Sequence, residues 1–289
     1  MSAPLRYCGR DFSPAELEVI RTLAATLPTR RAIADAACEA LLWYRRDGRL
    51  KDMSARVALL RMAADGLLTL PAPRNANGNG RLVRRMAPVG EPPAALAVSL
   101  AELGQIELVL VEGAAASRRW RTLIATHHYL GYAPFAGAQL RYLVESPCGT
   151  LAALGFAASA WKCAARDEHI GWDASAREAR LHLVVGNARF LILPHVRVPN
   201  LASQVLSRAA RRLRPDWLAA YGYAPLLLET FVESGRFSGA SYRAANWLCV
   251  GRTKGRGKLD RRHEHALPVK DVYLYPLQRD YRRLLSAPA

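Results

Sequence analysis

The stretch Arg189–Arg212, RFLILPHVRVPNLASQVLSRAARR, decides how this chain folds. Its first part, Phe190 to Val198, is a short apolar run bounded by Asn187 and Pro199 and rich in branched residues, the pattern of a strand buried on both faces. Pro194 inside the run has no amide to donate, which suits a bulge or an edge position. After Pro199 and Asn200 the period changes. Leu201, Val205, Ala209 and Leu213 recur every four residues while Arg208, Arg211 and Arg212 lie off that stripe, so a helix begins here. Helix N-termini carry unpaired amides and positive partial charge, and a phosphate or a carboxylate can rest against them. A crossover helix without a ligand is the other reading of the same turn.

The turn Arg197-Val198-Pro199-Asn200-Leu201-Ala202 resembles the Gln/Arg-x-x-Gly-x-Gly/Ala loop of the general-control-related acetyltransferases. In that superfamily the loop follows a bulged strand and holds the pyrophosphate of acetyl-coenzyme A. The resemblance implies that Arg197, Asn200, Leu201 and Ala202 contact a phosphorylated cofactor, acetyl-coenzyme A or a nucleotide. This chain departs from the pattern at Asn200, where the first Gly belongs. Asn tolerates left-handed backbone better than most residues but brings a side chain toward the phosphate.

A second stretch, Glu229–Arg262, ETFVESGRFSGASYRAANWLCVGRTKGRGKLDRR, continues the argument. Leu226 to Val232 reads as a strand, Gly239 to Trp247 as a turn and short helix, and Leu248 to Val250 as a strand entering a Gly/Lys/Arg loop. Tyr242 matches the position where the acetyltransferases often carry a Tyr general acid, which protonates a leaving thiolate; an aromatic at a helix start also serves simple packing. Glu229 ends an apolar strand and is the best carboxylate for general-base work if a cleft opens there, because burial would raise its pKa. His128, in the turn His127-His-Tyr-Leu-Gly-Tyr132, is a candidate proton shuttle. Adjacent helical histidines point about 100° apart and do not share one metal readily. Arg166-Asp167-Glu168-His169, between Trp161 and Trp172, is read either as an exposed substrate-orienting loop or as a salt-bridged cluster.

These stretches, with His128-Tyr-Leu-Gly-Tyr132, Arg189-Phe-Leu-Ile-Leu-Pro194 and Tyr242-Arg-Ala-Ala-Asn-Trp247, resemble the DruA family, named for the Druantia anti-phage system and met also near mobile elements. The resemblance covers most of the chain. It implies a component of a defence or mobile-element system, working with other defence proteins. It also implies an α+β fold with an acetyltransferase-like core, a mixed and mainly antiparallel sheet with flanking helices.

The chain of 289 residues carries 41 Lys and Arg against 24 Asp and Glu, a net charge of +17 with pI near 10.3. Such a field favours a polyanionic partner, of which nucleic acid, here DNA, is the commonest. With 51% hydrophobic and 22% charged residues the chain is folded rather than disordered. Gly251 to Arg262 holds six basic residues, one acid and three glycines, so its backbone can approach a phosphate chain closely. Arg252, Lys254, Arg256, Lys258, Arg261 and Arg262 are the candidate nucleic-acid contacts, with Trp247 as a stacking platform. A solvated loop is the plainer alternative. Cys8, Cys38, Cys148, Cys163 and Cys249 are scattered without a CxxC pair, which does not fit a disulfide framework or a zinc knuckle. His263-Glu264-His265 lacks an evident third ligand, so no metal site is assigned. No run reaches the roughly 18 apolar residues of a membrane span, and a cytoplasmic location is expected.

Residues 1–72 read as a helical, winged-helix-like DNA-binding module, or as a helical cap. Ser13-Pro14 opens one helix, Thr29 caps a second, and a third runs through Met53, Val57, Leu60 and Met62 and carries Lys51, Arg56 and Arg61. Residues 73–95 read as a Pro/Gly/Arg-rich linker, extended and mobile unless it wraps a partner, and 96–289 as the core with its basic C-terminal loop. In the core, Ile106 to Val111 is a strand, Leu140 to Glu145 and Leu151 to Ala157 a hairpin, and Leu181 to Val185 and Phe190 to Val198 further strands. Two functions follow: a DNA-binding defence component, or a nucleic-acid-modifying transferase with its cofactor at the Arg197 to Ala202 turn. The sequence leaves open whether the core is catalytic.

Overall fold

A computed structural model describes residues 5–44, 48–74, 85–87, 93–255 and 267–287. The chain divides into two compact units, residues 1–80 and 81–289.

The first unit begins with an antiparallel pair, β1 (Leu5–Tyr7) and β2 (Arg10–Phe12), followed by α1 (Pro14–Thr26), α2 (Arg30–Ala40) and α3 (Asp52–Ala64). The capping chemistry sets the helix starts. The Ser13 hydroxyl accepts from the Glu16 amide while the Glu16 carboxylate accepts from the Ser13 amide, and Pro14 occupies the first turn. Thr29 accepts from the Ala32 amide at the start of α2. Phe12, Ile20, Ile33, Trp43 and Met62 share one core. The three helices stand where the sequence put them, but no strand follows α3 among the described residues 65–74, and the hairpin of this unit precedes α1. Arg56 and Arg61 of α3 are exposed on either side of the exposed apolar stripe Met53, Val57 and Leu60.

The second unit runs β3 (Glu107–Leu110), α4 (Gly113–His127), β4 (Gln139–Ser146), β5 (Gly149–Ala158), α5 (Ala164–Ile170), α6 (Ala174–Arg180) and β6 (Val184–Ile192). It continues with α7 (Leu201–Tyr221), β7 (Leu227–Glu233), α8 (Ala240–Ala244), β8 (Leu248–Arg252), β9 (Lys270–Pro276) and α9 (Tyr281–Ser286). The seven strands form one mixed sheet in the order β3-β4-β5-β6-β7-β9-β8, antiparallel except between β6 and β7. This is an α+β fold.

The alternation of a strand distributes β6 and β7 between two cores. Val185 and Leu228 face the larger one, with Val205, Leu206 and Leu213 of α7, whereas Val184 and Leu227 face a smaller one with Ile170, Ala176 and Leu285. The two strands read from Leu181 to Val185 and Phe190 to Val198 are a single strand, β6, with a bulge. Gly155 pairs with Arg189 and Phe156 with Asn187, which leaves Ala188 without a partner on β5. Pro194 lies beyond the strand, not inside it, where Leu193 to Asn200 turn toward α7 and the Arg197 amide bonds to the Leu96 carbonyl. Part of the stretch read as a linker is tied to this unit: the Met86 amide donates to the Ala125 carbonyl, and Arg85 to the carbonyl of Tyr129 at 2.6 Å.

Candidate functional site

β6 and β7 are neighbours for only three residue pairs, Val184 with Leu227, Val185 with Leu228 and Gly186 with Glu229. At the next step a side chain replaces the ladder: the Thr230 hydroxyl donates to the Asn187 carbonyl at 3.1 Å. Beyond that fork the strands part, and a cleft of about 470 Å³ opens between Ala188–Ile192 on one side and Thr230–Val232 on the other. Its far wall includes Ala202 in the first turn of α7, and its rim includes His128, Tyr129, Arg236 and Phe237.

Asn187 holds the fork. Its side-chain amide donates to the carbonyls of Arg189 at 3.2 Å and Gly155 at 3.4 Å, which pins the bulge, and its Oδ1 accepts from the Tyr242 hydroxyl at 2.8 Å. Tyr242 sits on α8 behind Gly239, whose backbone is left-handed at φ 69°. A Cβ at Gly239 would collide with the ring and hydroxyl of Tyr273, so the tight entry into α8 depends on a missing atom. The Tyr242 ring packs against Phe190, Trp247 and Tyr273, and burial holds its phenol well above the usual range, so the proton stays on the oxygen.

His128 is buried at the end of α4, stacked on Tyr129 with ring centroids 4.9 Å apart. Burial, with the nearby Arg189 charge, pushes its pKa down to about 4. Its Nδ1 accepts from the Leu130 amide at 3.2 Å, which assigns the ring proton to Nε2 and makes the neutral ring a donor there. Arg189 donates to the carbonyls of Gly131 and Ala188 and lies over the Phe135 ring.

The structure separates the candidates that the sequence grouped. Tyr242 and His128 both line the cleft. Glu229 does not: it projects to the opposite face of the sheet, where it is fully buried. There Arg166 donates to one carboxylate oxygen at 2.8 Å and the Ala160 amide to the other at 2.7 Å. Burial raises its pKa as expected, against the pull of Arg166, but a sealed carboxylate with both oxygens engaged is not placed for base work in the cleft. The Arg166 to His169 segment is α5, and Arg166 is buried against Glu229, Asp167 and Trp172, the salt-bridged alternative.

At the turn, Asn200 has left-handed backbone, φ 62°, and makes no side-chain cap. The conformation a glycine would supply is therefore present with Asn. Leu201 buries its side chain in the core, and Arg197 is exposed. Trp247 is not a stacking platform: it is 3% exposed, packed against Tyr242 and Tyr275, with its ring N–H buried and unpartnered among the described residues. Arg252 is exposed and pairs with Asp271 at 2.8 Å, and Lys254 is exposed just after β8. Arg256, Lys258, Arg261, Arg262 and the His263-Glu264-His265 run lie outside the described residues. Among the described residues no three His, Cys, Asp or Glu side chains are grouped to hold a metal ion, and no helix is long and apolar enough to cross a membrane.

Asn187, Thr230, Tyr129 and Arg236 are site residues that sequence reasoning missed. Asn187 carried a usable signal, since Asn is disfavoured in strand interiors and marks a break in the ladder.

No curated protein matches the chain. Among solved structures it is similar to an N-acetyltransferase from Staphylococcus aureus Mu50, at 15% identity and a TM-score of 0.31, over 48% of this chain and 68% of that one. It is also similar to an acetyltransferase of the GNAT family from Streptococcus pneumoniae, at 11% identity and a TM-score of 0.35, over 59% of this chain and 99% of that one. The family model described as Druantia protein DruA matches residues 63–265, and the chain belongs to this DruA family.

Proposed function

We propose that the chain is a group-transfer enzyme of an anti-phage defence or mobile-element-associated system, that its cleft takes a coenzyme A-type thioester, and that its acceptor is nucleic acid. The observation that carries this reading is the fork: paired strands that stop pairing after Gly186 and Glu229 and open onto the N-terminus of a 21-residue helix. Strand backbone freed from its ladder offers amides and carbonyls to an extended amide-bearing arm. The left-handed Asn200 aims the first turn of α7, and no side chain caps it, so the amides of Ala202 and Ser203 and the helix dipole suit a pyrophosphate. Arg197, exposed beside that turn, adds charge.

When bound, such a cofactor supplies an activated acyl carbon. The amides of Ala202 and Ser203, with Arg197 beside them, would hold its pyrophosphate, and its thioester would exchange the carbon–sulfur bond for a bond to the acceptor, whose proton balances the leaving thiolate. Tyr242 keeps its proton at neutral pH, shares it with Asn187 at the cleft wall, and would be the proton donor to a leaving sulfur there, regaining the proton that the acceptor loses. His128, neutral with its proton on Nε2, contributes a hydrogen bond rather than a base.

Isothermal titration with acetyl-coenzyme A tests the cofactor. Ala202→Asp places a carboxylate where the pyrophosphate would sit while favouring the helix N-terminus, so it is expected to weaken binding by at least about tenfold without lowering the melting temperature. No heat in the wild type overturns the reading.

The net charge of +17, with exposed Arg252 and Lys254 leading into the basic segment 251–262, supports nucleic acid as the partner. A role for residues 1–72 in DNA binding belongs to the same proposal, with α3 presenting Arg56 and Arg61. A salt series with Arg252, Lys254, Arg256 and Lys258 all changed to Ala tests the loop: the slope of log affinity on log salt flattens if the loop neutralises phosphates.

A further inference from the structure

The rim of the cleft carries a cation held in place but left with unused donors. The Arg236 guanidinium lies 4.8 Å from the centroid of the Tyr129 ring and 5.8 Å from that of Phe237. Tyr129 is itself fixed, stacked on His128 on one side and edge-on to Phe237 at 5.1 Å. Among the described residues the Arg236 side chain makes no hydrogen bond and no ion pair, and it is exposed where it lines the cleft. Two further arginines converge on the same tyrosine: Arg85 donates to its carbonyl, and Arg189 lies close enough to act on its phenol. Neither has an ion pair among the described residues. Among the described residues Glu233 acts on the Tyr129 phenol against Arg189 and Arg236.

A planar guanidinium pre-ordered on aromatic rings, with its forked donors unpaired, matches a tetrahedral oxyanion that accepts two parallel hydrogen bonds. Resting on the transfer reading of the cleft, we infer that Arg236, ordered by Tyr129 and Phe237, forms the acceptor subsite and binds a backbone phosphate of a nucleic-acid strand. The phosphate would hold the neighbouring nucleotide over the open cleft while the cofactor arm enters from the α7 side. Phe237, 43% exposed, offers an aromatic face beside it for an unpaired base.

The test uses the full chain and two small probes: a thymidine dinucleotide with one phosphodiester, and the same dinucleotide with a neutral methylphosphonate link. Arg236→Ala is expected to weaken phosphodiester binding about tenfold, the loss of a charge-assisted bidentate contact. Its methylphosphonate binding and its heat with acetyl-coenzyme A should stay at the wild-type level. Arg236→Lys should recover part of the phosphodiester affinity. Equal affinity of wild type and Arg236→Ala for the phosphodiester overturns the subsite, as does a parallel loss toward acetyl-coenzyme A, which would assign Arg236 to the cofactor. If the wild type shows no heat with acetyl-coenzyme A but the phosphodiester effect persists, the cofactor reading falls and the phosphate subsite stands.

Discussion

Glu229 and Thr230 are consecutive on β7, yet they serve opposite kinds of polar cluster. Glu229 enters a closed network in which Arg166 and the Ala160 amide satisfy both oxygens, with Asp167 and Trp172 completing the shell. Thr230 enters the fork with Asn187 and Tyr242, whose other side is an open cleft. Both clusters are buried, and both raise the pKa of an acid through burial. Burial and a shifted pKa therefore do not separate scaffold from site in this molecule. Access does: one cluster is complete without a ligand, and the other borders space.

Removing one partner of the sealed cluster should have the largest effect. Glu229→Ala leaves the Arg166 charge buried without its main counter-ion and is expected to cost about 3–5 kcal/mol of stability, read from the denaturant midpoint. A double change of Arg166 and Glu229 to Met and Leu should recover much of that loss, because no charge is then stranded.

The open cleft should announce itself through pH at His128, which lines it. His128 is disfavoured as a cation in the fold, with its pKa down to about 4 from 6.5, so the unfolded chain takes up the proton first. This contribution is full above pH 6.5, declines as the pH falls toward 4, and is flat below. Its size is about 3 kcal/mol, and thermal melts across that range should lose the corresponding slope in His128→Gln.

Tyr242→Phe should have the smallest effect on stability, about 1 kcal/mol for one hydrogen bond to Asn187, yet lower the proposed acyl transfer by on the order of 100-fold. A Phe variant with wild-type turnover and the same small stability loss would move the cleft's tyrosine into the class of Glu229.

The sequence made this contrast hard to see. Local signals were legible: Ser13 and Pro14 mark the start of α1, Thr29 that of α2, and the change of period after Asn200 that of α7. The hairpin of β4 and β5 was visible as two apolar runs on either side of the turn residues Ser146 to Gly149. Non-local pairing was not. Asn187 looked like the end of a strand because Asn rarely lies within one, and only its bonds to Gly155, Arg189 and Tyr242 show it to be the pin of a bulge. Glu229 was recognised as a carboxylate that burial would perturb, but its partner Arg166 lies 63 residues away, beyond any local pattern. Trp247 sits beside a basic loop in sequence, while its ring points into the core against Tyr275. β9 went unread although Val272-Tyr-Leu-Tyr275 carries the branched and aromatic character of a strand.

The unpaired Ala188 has a consequence for how this cleft can vary. Val184 and Val185 of β6 face different cores, and the bulge resets which residues look each way past Asn187. Losing or gaining a single residue between Val184 and Ile192 would exchange the faces of everything beyond it, sending Phe190 and Ile192 where Leu191 now packs. Surface loops absorb changes of length, but this segment cannot. Diversification of the cleft is confined to replacing side chains, and any difference in reach or breadth must come from the loop bearing Arg236 or from the chain around Tyr129.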